Sequence, residues 1–285
     1  EKMQKKLMDQ RAQRVRPGLD DKLLCSWNGL ALKGLVDAFE AFGRQEDLNL
    51  ALQNARFIQN AFIKEDFRVD RNYKEGHSKI NGFLDDYAFI IEAYIALYQV
   101  TFDEDWLAIS DQLTQYVLNH FFDENSGFFF YTSDLDPALI ARKKEMGDNV
   151  IPGSNSAMAK NLYYLGHLMY NQEYLSIAKK MVQSMAQEVI KSGQPGFYAN
   201  WCLLYSEMMT PMFEVAILGA QASNRCHEIQ RTFFPNALFL GGKNEGSLEL
   251  LKNKLQEGQT MIYVCQNKVC KLPVSNVEDA LQLMQ

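Results

Sequence analysis

Two pairs of adjacent acids stand just ahead of apolar runs: Asp20 and Asp21 in "RPGLDDKLLCSWNGLAL" (16–32), and Asp85 and Asp86 in "NGFLDDYAFIIEAYIAL" (81–97). Two carboxylates facing each other across a cavity are what glycoside hydrolysis needs, one as proton donor and one as base or nucleophile. Their separation, roughly 5 Å or 6.5–9.5 Å, decides between retention and inversion. On this reading Asp21 and Asp86 are the catalytic candidates, and Asp20 and Asp85 are substrate-holding neighbours. Trp27, Asn28 and Tyr87 lie beside the acids, and an aromatic face next to amide and carboxylate groups suits a sugar ring. "PGSNS" (152–156) opens a third apolar segment and offers Ser154 and Asn155, while His77 is the one histidine of four near the same set of loops.

Each candidate has a plainer reading. An acid at a helix N-terminus caps free N–H groups and favours the helix dipole, worth about 0.5–2 kcal/mol. Trp27 and Tyr87 also fit a core stripe, and Ser154 or Asn155 also serves as an N-cap. Cys265 and Cys270 form C-x4-C, readable as a redox pair or half a metal site. The plainer expectation there is a buried strand cysteine followed by a loop thiol, because no second Cys/His pair at zinc spacing follows. No Ser-His-Asp order, P-loop or nucleophile elbow is present, and neither a cofactor nor a metal is expected. "LGAQAS" (218–223) follows a strand but lacks the glycine spacing of a dinucleotide fold.

The elements that position these residues alternate between two kinds of helix. Trp27, Leu30, Ala31, Gly34, Leu35, Ala38, Phe39 and Phe42 form a 3.6-residue stripe, and Leu32, Val36 and Ala41 fill much of the remaining face. Segments 84–100 and 156–170 read likewise as helices buried on several sides. Segments 48–63, 105–120 and 174–189 are amphipathic with one wet face. Buried and amphipathic helices in alternation predict an inner ring wrapped by an outer one, an (α/α) toroid. The elaborated loops gather at the N-terminal ends of the inner helices, where binding and chemistry usually sit. Beyond residue 210 the pattern changes: "EVAILG", "ALFLGG" and "TMIYVCQN" predict buried strands, and 226–234, 247–255 and 277–284 predict helices. A toroid over 1–210 and a small α/β subdomain over 211–285 follow.

Composition narrows the partners. The net charge of −6 over 285 residues argues against a nucleic-acid surface. No segment reaches the roughly 20 apolar residues of a membrane span; the best, 87–102, is interrupted by Glu92. Five cysteines, an odd number, point to reduced thiols and a cytoplasmic setting.

"RPGLDDKLLCSWNGLAL", "GFLDDYAF", "IPGSNSAMAKNLYYLG" and "YVCQNKVCKLPV", in this order, resemble the thioredoxin-domain-containing family of spermatogenesis-associated protein 20 and its bacterial relatives. The resemblance implies a toroid of the six-hairpin glycosidase type, related also to N-acylglucosamine 2-epimerases, behind a thioredoxin-like domain. That redox domain has no counterpart in this sequence. The toroid is expected to be incomplete, with an upstream thioredoxin-like domain as partner. The function implied is a carbohydrate-active or carbohydrate-binding module with a sugar or other small molecule in its cavity. The alternatives are a non-catalytic scaffold that docks a partner or client for the thioredoxin-like domain, and a sugar epimerase. The scarcity of histidine weighs against the epimerase, which relies on that residue for proton abstraction.

Overall fold

Inner and outer helices alternate along the first 208 residues. The computed structural model describes residues 1–137 and 140–285. After α1 (Lys2–Ala12), which buries nothing, come β1 (Leu23–Leu24), α2 (Cys25–Phe42), α3 (Gln45–Ala61), β2 (Asp70–Lys74), β3 (His77–Asn81), α4 (Leu84–Thr101) and α5 (Asp105–Phe121). They are followed by β4 (Phe122–Asp123), β5 (Phe128–Phe129), α6 (Ser154–Leu168), α7 (Gln172–Ser192) and the shorter α8 (Ala199–Met208). The inner helices pack in the row α2–α4–α6–α8, and α3, α5 and α7 each pack on the inner helix before them. The result is an arc of an (α/α) toroid. Every residue of α4 is buried except Glu92 and Thr101, because the helix sits between α2, α5 and α6. A helix surrounded in this way needs no wet face.

The burial of α2 departs from the expected stripe. Cys25, Gly29, Leu32, Val36 and Phe39 turn inward, whereas Trp27 is 59% exposed and Phe42 also faces solvent. The helix is apolar around much of its circumference, so periodicity alone allowed two faces. Gly29 decides between them: a Cβ there would lie 2.9 Å from the backbone carbon of Phe89, so only glycine lets α2 and α4 approach this closely.

The tail carries β6 (Phe213–Leu218), α9 (Ala222–Gln230), β7 (Ala237–Gly242), β8 (Met261–Gln266), β9 (Val269–Cys270) and α10 (Val277–Leu283). Its sheet runs β7-β6-β8-β9, with β6 parallel to β7 and antiparallel to β8. Strand alternation splits the two faces. Val215 and Ile217 pack with Cys226, Ile229 and Ala280 under the tail helices, whereas Ala216 and Leu218 join the toroid core. The helix expected at 226–234 begins earlier and ends at Gln230, and 247–255 forms only one 3-10 turn, Glu249–Leu251. There the Glu245 carboxylate captures the amides of Lys254 and Leu255, and Asn253 adopts a positive φ of 58°, which ends any helix.

The expectation of unpaired thiols in C-x4-C is corrected. Cys265 stands directly opposite Cys270 across the β8–β9 ladder, and the two form a disulfide. Cys25, Cys202 and Cys226 are free.

The tail is tied to the C-terminal end of α4. The Gln99 carbonyl accepts from Cys226 Sγ and Gln230 Nε2, both at 3.5 Å, and Gln99 Oε1 accepts from the Phe239 amide at 3.0 Å. The Val100 carbonyl meets His227 Nε2 at 3.1 Å.

Gly29→Ala forces the two inner helices apart. It is expected to lower stability by about 1–3 kcal/mol, the usual range for overpacking, measured by urea denaturation, with little change in helix content by circular dichroism.

Candidate functional site

The two acid pairs enter different environments. Asp86, at the start of α4, is fully buried. Its Oδ1 accepts from the Ser26 amide of α2 at 2.9 Å, and its Oδ2 accepts from the Phe83 amide and from Arg71 Nη1, each at 2.9 Å. Arg71 Nη1 also reaches Asp85 Oδ1 at 3.1 Å, and its guanidinium lies 4.5 Å over the Phe83 ring. Phe83 in turn meets Tyr131 at 5.1 Å. Burial and the neighbouring Asp85 push the Asp86 carboxyl up to about 7, against the pull of Arg71 and the two amides. Asp86 is therefore a cap for two helix starts at once.

Asp20 and Asp21 stay outside. Asp20 is exposed and pairs with Lys22. Asp21, its side chain 48% exposed, pairs with Lys74 at 2.6 Å, and that contact holds its carboxyl below the ordinary value. Lys74 and Arg71 stand three residues apart on β2, an odd spacing that sends side chains to opposite faces of a strand. The structure therefore does not bring Asp21 and Asp86 together across one cavity. The expectation of a facing pair assumed that both stretches enter their helices in the same way. In fact 16–22 precedes a two-residue strand, β1, which pairs with β2 and carries the first acid pair away from the helix start.

The remaining candidates divide in the same manner. Tyr87 is buried: its hydroxyl accepts from the Val69 amide at 2.9 Å, and its ring stacks on Tyr116 at 5.4 Å. It is a core residue rather than a ligand contact. Asn28 is turned into its own helix, donating to the Leu24 carbonyl at 2.8 Å. Neither Ser154 nor Asn155 caps α6 with its side chain; the N-cap is Gly153. The α6 amides are met instead by Glu145 Oε2 at Ser154 and Asp148 Oδ1 at Gly153. Asn155 bridges the Phe129 amide and carbonyl at 2.8 and 2.9 Å, pinning β5 to the helix start, and Ser154 Oγ is buried without a partner. His77 is exposed on β3, in register with Lys74 and so on the Asp21 side. Trp27 alone among the candidates presents an open aromatic face at an inner-helix start, one residue beyond Ser26 and its bond to Asp86.

Sequence reasoning missed Arg71, Phe83 and Tyr131. Arg71 had a detectable signal: it is one of the two arginines of "FRVDRNY", a short extended segment inside an otherwise helical stretch. Its pairing with residues 14 and 15 positions later needed the β2–β3 hairpin to be known. Among the described residues, no group of three or more His, Cys, Asp or Glu side chains is arranged to hold a metal ion. Among the same residues, no helix is long and apolar enough to cross a membrane.

No protein-family profile matches the chain. It is similar to human spermatogenesis-associated protein 20, with 24% identity over 95% of this chain and 37% of that protein. It is equally similar to an uncharacterised protein of Caenorhabditis elegans, at 24% over 97% of this chain and 40% of that one. The chain thus spans well under half the length of the curated relatives it matches. Among solved structures, a GH76 α-mannanase of Bacteroides thetaiotaomicron aligns with a TM-score of 0.50 and 16% identity, covering 62% of this chain and 46% of that one. That likeness establishes the fold: an (α/α) toroid of the six-hairpin glycosidase type.

Arg71→Met leaves Asp85 and Asp86 buried without their cation. Losing one partner of a buried ion pair costs about 3–5 kcal/mol. A carboxyl raised to about 7 in the fold binds its proton more tightly than in the unfolded chain, so its contribution is full below the unfolded value and is lost as pH rises towards 7. Urea denaturation is therefore expected to show the Arg71→Met deficit growing between pH 5 and pH 8.

Proposed function

We propose that this chain is a carbohydrate-binding portion of a helical toroid, holding a saccharide at the N-terminal ends of its inner helices, with its own acids serving structure rather than catalysis. The observation that carries this reading is Trp27, 59% exposed at the start of α2 beside the buried Asp86–Arg71 cluster. An indole face stacks on the CH face of a sugar ring, and hydroxyls then need polar partners at its edge. Arg71, with its side chain 23% exposed, supplies them: only Nη1 is used by the two carboxylates, and Nη2 and Nε bond no acceptor among the described residues.

Two-carboxylate hydrolysis is not favoured, because Asp21 and Asp86 are paired with Lys74 and Arg71, whose side chains leave β2 by opposite faces. Epimerase chemistry is not favoured either. His120 pairs with Asp134, His167 with Glu214 and His227 with the Val100 carbonyl, which leaves only exposed His77. The mannanase fold relative makes manno-oligosaccharides the first probe. A second reading, a scaffold that docks an upstream thioredoxin-like domain, is favoured by the apolar face open between α7 and α8, which includes Ile190 and Tyr205.

Calorimetric titration with mannobiose, cellobiose and xylobiose separates the two. Binding of one of them, weakened at least tenfold in Trp27→Ala at an unchanged thermal midpoint, is the expected result. Absence of heat with every disaccharide, or wild-type affinity in Trp27→Ala, leaves the scaffold reading.

A further inference from the structure

The middle and C-terminal half of the inner helices line a second polar space, beyond the helix starts where Trp27 sits. A cavity of about 220 Å³ is walled by α2 (Lys33, Asp37, Glu40), α4 (Glu92, Gln99) and α6 (Lys160, Tyr164), and the tail segment 230–239 forms its far side. At about 30 Å³ per water this is room for roughly seven waters or one small organic molecule. The polar wall follows from the helices: Lys33, Asp37 and Glu40 recur at helical spacing on one face of α2. Glu92 is the single interior residue of α4 that is only partly buried.

The cations of this wall are already engaged. Lys33 is bonded to Asp37, and Lys160 reaches Glu92 at 3.1 Å. Burial works to raise the Glu92 carboxyl, but Lys160 and Lys33 outweigh it and leave it below its ordinary value. Tyr164 donates onward to Glu207 at 3.1 Å. What remains is acceptor capacity. Among the described residues, the Glu40 carboxylate bonds only the Gln230 amide nitrogen, at 3.3 Å. Gln230 Oε1 is buried with no hydrogen-bond partner among the described residues. Phe233, Phe234 and Phe239 supply aromatic surface along the same rim.

We propose that this cavity is a binding site for a small primary-amine cation, its ammonium group taken by Glu40 and Gln230 Oε1 and its carbon chain lying against the phenylalanines. An ammonium group offers three donors and one positive charge. It would satisfy the orphaned amide oxygen and balance the one carboxylate that lacks a cation, and it would gain from aromatic faces nearby. A polyol would satisfy the oxygen and leave the charge. An anion would meet Glu40, Asp37 and Glu92 with no free cation to receive it.

The same site is pH-sensitive. Burial raises the Glu40 carboxyl to about 7, with Lys33 pulling it down and Asp37 pushing it up. From α4 and α6 the facing charges are Glu92 and Lys160, which are paired. From α9 they are His227, which burial holds below its ordinary value, and Arg231 beside Gly43. Glu40 is ionised above about 7 and protonated below it, so a cation binds better as pH rises through that value.

The test uses 4-amino-1-butanol as probe and 1,4-butanediol as its uncharged counterpart, followed by saturation-transfer NMR titration. At pH 8 the amine is expected to bind at least tenfold more tightly than the diol. It should weaken at least fivefold at pH 6 and lose at least tenfold in Glu40→Gln. Gln230→Met, which removes the orphaned acceptor and keeps the volume, should weaken the amine severalfold and serves if Glu40→Gln fails to fold. Equal binding of amine and diol, no binding of either, or an amine affinity unchanged in the folded variants overturns the proposal. The saccharide experiment addresses the other end of the helices, so the two outcomes are independent.

Discussion

One carboxylate organises the N-terminal side of this molecule. Asp86 receives an amide from α2, an amide from the start of its own helix and a guanidinium from β2. Free amides at helix starts are the recurrent cost of bringing parallel inner helices to one end of a toroid, since each start leaves unsatisfied donors that must find acceptors. Asp86 answers two such starts with one residue, and Arg71 holds the resulting buried charge. The close α2–α4 crossing at Gly29 lies one turn further down the same pair of helices. Register at the top and approach in the middle are thus set together. The third inner helix solves the same problem with different groups, through Glu145 and Asp148.

The two ends of the inner helices are chemically unlike. At the N-terminal end the buried charges pair with one another, and what is left for a visitor is an indole and the unused nitrogens of Arg71. Towards the C-terminal end the concave wall keeps polar groups around open volume, with one carboxylate and one amide oxygen short of partners. The alternation of apolar and polar faces on α2 reconciles the two. The face carrying Gly29 and Leu32 packs on α4, and the face carrying Lys33, Asp37 and Glu40 lines the wall.

Architecture was more legible in the sequence than the site. The alternation of all-apolar and amphipathic segments identified the inner helices α2, α4 and α6 and the outer helices α3, α5 and α7, because burial on several sides leaves a compositional mark. The strands "EVAILG" and "TMIYVCQN" were equally plain, being apolar on both faces. The orientation of α2 was not, since Trp27 and Gly29 serve opposite faces of one apolar helix, and periodicity cannot rank a large residue over a small one. The acid pairs looked alike in text and differ in space because β1 intervenes before one helix and not before the other. Glu92 was noticed only as a break in an apolar run. Its pairing with Lys160, 68 positions later, depends on the arc being formed.

The carbonyls of Gln99 and Val100 belong to the last turn of α4, where no further helical amide follows to donate to them, and Cys226, His227 and Gln230 of the tail meet them instead. The tail therefore acts as the terminal cap of the central helix of the arc. A shortened chain that ended at the composition change near residue 210 would expose those carbonyls and lay bare the apolar groups that Leu238 and Leu240 now cover. In evolutionary terms, the α/β segment cannot be shuffled away from this toroid as an independent cassette unless another segment takes over the end of α4.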